Sequence, residues 1–106
     1  MMKLIRFLSS VLGSLALASS AMAQTYPNKP VSLVVPYPAG GVSDVIARIV
    51  SPALSKKLGE AVIVENIGGA SGGMAAQKVL NSPADGYLVM QGSPNELILG
   101  PLANSA

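Results

Sequence analysis

The apolar residues of this chain follow two periodicities. Val31-Ser-Leu-Val-Val35 is a short, mostly β-branched run without clean alternation, the pattern of a strand covered on both faces. From Asp44 to Leu58 the apolar positions are Val45, Ile46, Ile49, Val50, Ala53, Leu54 and Leu58. Their spacings of three and four predict an amphipathic helix. Arg48, Ser51, Ser55, Lys56 and Lys57 fall on its predicted wet side. The two lysines suit the dipole at the C-terminal end, and Gly59 is placed for a left-handed cap. Pro52 conflicts with a regular helix, because it removes one hydrogen bond and crowds the carbonyl of Arg48. The pattern therefore predicts a kink near residues 48–52, or two short helices meeting there.

The alternation continues. Ala61-Val-Ile-Val-Glu65 reads as a second strand and Asn66 to Gly73 as a glycine-rich loop. A second helix is predicted from about Met74 to Asn81. Pro83 and Gly86 mark a turn, and Tyr87 to Gln91 a third strand. Gly92 to Glu96 reads as another turn. Leu97 to Leu102 is apolar but interrupted by Gly100 and Pro101. Strand, helix, strand, helix, strand with short connections predicts an α/β fold with a parallel sheet and right-handed crossovers. The first strand is expected between the other two. The turns Tyr37–Ser43, Asn66–Gly73 and Gly92–Asn95 then share one sheet edge, the edge at which open α/β sheets bind ligands.

The connection after the first strand carries the clearest chemistry. Pro36 and Pro38 stop the strand, and Gly40 and Gly41 let the backbone bend and approach a ligand closely. Ser43 or Asp44 offers a side-chain oxygen to cap the helix. A helix N-terminus at that edge presents free amides to an anion. The same pattern also fits an ordinary strand-to-helix turn that binds nothing.

Composition changes the picture at the N-terminus. Lys3 and Arg6 precede an apolar run from Phe7 to Ala18, broken by Ser9, Ser10, Gly13 and Ser14, and Ala21-Met-Ala23 closes it. Residues 1–23 are expected to be a secretory signal peptide cut before Gln24, the run being short and serine-punctuated for a membrane span. Residues 24–106 hold five basic and five acidic side chains, so the formal +2 belongs to the signal segment. No basic stripe with interleaved aromatics suggests nucleic acid. Cysteine and histidine are absent, which leaves no disulfide framework, no thiolate chemistry and neither imidazole nor thiolate to hold a metal.

Catalytic and nucleotide readings fail on spacing. From Gly68 the residue two positions on is Ala70, and from Gly69 it is Ser71, so the dinucleotide fingerprint is missing. Ser43, Ser71 and Ser93 have no histidine base, and nothing places Lys29, Lys56, Lys57 or Lys78 beside them. No cofactor, metal or catalytic residue is expected. Backbone donors remain, at 41–44 and 72–74, with small neighbours that admit a small carboxylate to the main chain.

The run Tyr26-Pro-Asn-Lys-Pro-Val-Ser-Leu-Val-Val-Pro-Tyr-Pro-Ala-Gly-Gly-Val-Ser-Asp44 resembles the opening of periplasmic receptors of tripartite tricarboxylate transporters, the Bug family. Leu58-Gly-Glu-Ala-Val-Ile-Val-Glu-Asn66, the loop Gly68 to Gly73 and Ala84-Asp-Gly-Tyr87 extend the likeness in order. The resemblance implies a three-layer parallel-sheet lobe of a two-lobed, type II-like periplasmic binding protein. Such a protein would capture small carboxylates and present them to membrane transporter subunits, as a monomer in the periplasm. By position it implies ligand contacts at Ala39, Gly40, Gly41 and Asp44, at Gly69, Ala70, Ser71, Gly72 and Gly73, and at Ser93. It also implies a second lobe, so residues 24–106 are expected to be an incomplete, N-terminal part of the first lobe. A secreted α/β hydrolase-like fragment using Ser71 or Ser93, and a truncated remnant without function, are the alternatives.

Overall fold

Three short parallel strands, β1 (Val31–Val35), β2 (Val62–Asn66) and β3 (Leu88–Met90), pair in the order β2-β1-β3. Val31 stands opposite Val62 and Val35 opposite Asn66, while Ser32 faces Leu88 and Val34 faces Met90. β1 is therefore central, as its mostly apolar, non-alternating character predicts. The computed structural model describes residues 25–104. The expected signal peptide lies outside the described residues.

Helix α1 (Val42–Leu58) joins β1 to β2, and α2 (Gly73–Leu80) joins β2 to β3. The chain moves to one side of β1 and then crosses to the other. With right-handed connections, that reversal places the two helices on opposite faces of the sheet. Leu33 and Val35 pack with Ala47 of α1, bordered by Tyr37, Val62 and Val64. Val34, which alternates to the other face, is fully buried as well. Beyond β3, a wide π-type turn at Asn95–Leu99 runs into α3 (Gly100–Asn104). The sequence pattern suggested only a turn and an interrupted apolar run there. Pro101 follows directly on this wide turn, whose Gly100 amide donates to the Asn95 carbonyl five residues back, and the helical run continues through both residues.

Helix α1 corrects the periodicity argument. Its buried residues are Asp44, Ala47 and Ser51. Val45, Ile46, Ile49, Val50 and Leu54, expected to face the core, are exposed. The rotation is fixed by polar contacts along the small-residue stripe. Ser55 Oγ donates to the Ser51 carbonyl at 2.9 Å and accepts the Val62 amide at 2.8 Å. Small side chains let the helix lie close on β1 and β2, so Ser51 is buried rather than wet. Pro52 does not divide α1, which runs unbroken across it. Pro52 is exposed, so its ring lies on the solvent side of α1. Gly59 takes φ +75° and its amide donates to the Ser55 carbonyl at 2.9 Å, closing α1 as expected.

Candidate functional site

Parallel pairing brings the carboxyl ends of all three strands to one edge. The Ile67 amide donates to the Val35 carbonyl and the Gln91 amide to the Val34 carbonyl, each at 2.9 Å, and the chain then leaves the sheet. The three exits are residues 36–41, 67–72 and 91–94, and they touch. A Cβ on Gly68 would come 3.2 Å from the Pro38 ring. One on Gly72 would come 3.2 Å from Pro36 and 3.0 Å from the Cβ of Glu96. The second loop is thus wedged between the first and the third. The first and third loops flank the β1–β3 junction where strand order reverses, the crevice that ligands use in open α/β sheets, and the second loop reaches in beside them.

The first loop is held by a charge. Asp44 is third in α1 and buried, and its Oδ2 accepts the Gly40 amide at 2.9 Å. The Arg48 Nε donates to both Asp44 oxygens at 3.0 Å. The Arg48 hydrogen bond and then the Gly40 amide lower the Asp44 pKa from 3.8 to about 2. Arg48 Nη2 also donates to Asn66 Oδ1 at 3.3 Å, and Asn66 Nδ2 donates to the Tyr37 carbonyl at 3.1 Å. The helix cap differs from expectation. Gly41 is the N-cap, and no side chain hydrogen-bonds this end. Neither Ser43 nor Asp44 caps α1, because Asp44 lies inside the helix and reaches back to the loop. The Val42 and Ser43 amides, in the first turn, therefore have no intrahelical acceptor. An open depression of about 390 Å³ lies beside them, lined by Tyr37, Pro38, Ala39, Gly41, Val42 and Ser43.

The second loop stores backbone strain. Ala70 and Ser71 take φ of +49° and +53°, a left-handed conformation that costs a side-chain-bearing residue about 1–3 kcal/mol. Gly72 follows at φ +88°, and its amide donates to the Gly69 carbonyl at 3.0 Å. The Gly73 amide donates to the Ala70 carbonyl. Ala70, Ser71 and Gly73 line a second depression of about 420 Å³ together with Met74 and Glu96.

The third loop contributes a group that the sequence pattern did not single out. Glu96 is 5% exposed. Its carboxylate accepts the Ser93 amide, the Ser93 hydroxyl at 2.7 Å and the Tyr37 hydroxyl at 3.1 Å. Burial pushes the Glu96 carboxyl up, but the Ser93 and Tyr37 hydrogen bonds together hold it below the usual carboxylate range. The only available signal was Ser93-x-x-Glu96, a capping-box spacing at the start of a helical run.

Ala39, Gly40, Gly41, Gly69, Ala70 and Ser71 are exposed at this edge. Gly73 and Ser93 are half-buried, and Asp44 and Gly72 lie beneath. The amides of Gly40, Gly72 and Gly73 already donate within the loops, so these residues shape the edge. Among the described residues, no group of three or more acidic side chains is placed to hold a metal.

Similarity to known proteins agrees with this geometry. The model of the tripartite tricarboxylate transporter family receptor matches residues 46–102, more than half of the chain. The chain belongs to this family. The family is one of solute-binding receptors rather than enzymes, and its solved members include periplasmic binding proteins. A UPF0065 protein of Bordetella bronchiseptica is 46% identical over 83 residues, covering 78% of this chain and 25% of the relative. The periplasmic binding protein BugD is 43% identical with a TM-score of 0.60, over 61% of this chain and 22% of its own. An R. palustris protein solved with adipate is 40% identical with a TM-score of 0.64, over 66% and 23%. The chain spans about a quarter of the length of the curated relatives it matches.

Proposed function

We propose that residues 24–106 form the N-terminal part of the first lobe of a periplasmic solute-binding receptor, exported by the signal peptide at 1–23. The receptor takes small carboxylates and delivers them, as a monomer, to the membrane subunits of a tripartite tricarboxylate transporter. The observation that carries this reading is the convergence of two glycine-lined loops at the carboxyl edge of the sheet. The Val42 and Ser43 amides stand there without intrahelical acceptors, and the strained Ala70–Ser71 turn lies on the neighbouring loop. Ala39, Gly40, Gly41, Gly69, Ala70, Ser71, Gly72 and Gly73 form the walls of the half-site, Asp44 holds the first loop in place, and Ser93 borders it. Oriented amides bind a carboxylate without needing an arginine. In a receptor of the relatives' length, the second lobe supplies the opposing jaw, and closure over the ligand needs both.

Binding is favoured over catalysis by the state of Ser93. Its hydroxyl donates to a carboxylate whose pKa is lowered, and a lowered carboxylate is a poor general base near neutral pH. Calorimetric titration of the chain with adipate is the test. A weak saturable heat with adipate, as one jaw alone gives, and none with ATP, is the expected result. Heat with ATP alone would contradict the receptor reading.

A further inference from the structure

Tyr37, Ser93 and Glu96 join the first and third loops, and amide capture of a carboxylate makes no use of them. Each hydroxyl carries a single hydrogen. That of Ser93 goes to Glu96 Oε2 at 2.7 Å, a close and charged acceptor. That of Tyr37 has two acceptors at the same 3.1 Å, Glu96 Oε2 and Ser93 Oγ. Both lie inside the cluster, so neither choice leaves a hydroxyl hydrogen pointing outward. Whatever approaches these oxygens from outside meets lone pairs. Asn95 is already arranged so, with Nδ2 3.4 Å from Tyr37 Oη and its amide 3.4 Å from Ser93 Oγ. Glu96 is also fixed from below, since a Cβ on Gly72 would stand 3.1 Å from Oε2.

We propose that Glu96 is a positioning residue that makes the third loop an acceptor wall, so that a ligand gripped by its carboxylate at the amide side binds more tightly when it presents an N–H or O–H donor here. The inference rests on the carboxylate-receptor reading and narrows it. The charge on Glu96 repels a second carboxylate at this wall, whereas a hydroxyl or ammonium substituent satisfies the lone pairs. Ser93 therefore contacts a ligand as an acceptor, never as a donor to its carboxylate.

The test titrates the full chain with succinate, L-malate and L-aspartate, one four-carbon diacid bearing hydrogen, hydroxyl or ammonium. One added hydrogen bond corresponds to about fivefold in affinity, so malate or aspartate is expected to bind about fivefold tighter than succinate. Which of the two gains identifies the donor. Glu96→Gln and, separately, Ser93→Ala are expected to collapse that ratio towards one. A wild-type preference for succinate, or a ratio unchanged in both variants, overturns the proposal. A ligand-free arm separates the two readings. Long-range NMR couplings should connect the Ser93 and Tyr37 hydroxyl protons to the Glu96 carboxyl carbon, and their absence overturns the proposal. Their presence in a chain that binds none of the three acids upholds the arrangement of the wall and refutes the carboxylate reading instead.

Discussion

Asp44 spends its charge inside the first loop, on Gly40 and Arg48. A carboxylate whose pKa is depressed on folding stabilises the fold above its unfolded value, and that contribution is lost as pH falls through the folded value. For Asp44 the window runs from 3.8 down to about 2. Acid unfolding followed by circular dichroism should therefore show Asp44→Asn losing stability at neutral pH and having a flatter profile across that window. Gly72 makes a second residue-scale prediction. A methyl there meets Glu96 and Pro36 at 3.0–3.2 Å in a left-handed backbone. Gly72→Ala should cost about 1–3 kcal/mol in urea unfolding. Gly59 was legible as a positive-φ position because it ends α1, and Gly86, at φ +83°, because it lies in the turn before β3. Glu96 was not legible, since a lone acid in a turn resembles any solvated carboxylate until Tyr37 is brought to it from 59 residues away.

At the scale of elements, strands and connections followed from local pattern, while the facing of α1 did not. The period of three and four identifies a helix, but it names the buried side only when hydrophobic cover is the whole reason for burial. Here hydrogen bonds from Ser55 and a close approach through Ala47 turn the small-residue stripe inward. The apolar stripe is left outward, with Ile49 70% exposed. Overpacking the true contact with Ala47→Leu should cost about 1–3 kcal/mol. Ile49→Ser should change stability by no more than about 0.5 kcal/mol, because that side chain is mostly exposed. Equal losses from the two substitutions in thermal or urea melts would contradict the observed facing. In the same way, a terminal run that looked interrupted by Gly100 and Pro101 is helical, continuing from the wide turn at Asn95–Leu99.

At the scale of the molecule, one topological fact arranges everything else. A central β1 with its neighbours added on either side puts all three carboxyl-end loops together, and each of the two glycine loops leads to a helix N-terminus. The common edge was legible from the order of elements alone. The division of that edge into an amide side and an acceptor side needed coordinates, because it depends on where individual hydroxyl hydrogens go. The most direct measurement is an amide chemical-shift map of the chain titrated with adipate. The account predicts that the perturbed amides cluster at Val42, Ser43, Ala70 and Ser71. Perturbations at the opposite edge, around Ala61 and Tyr87, or none at saturating adipate, would contradict it.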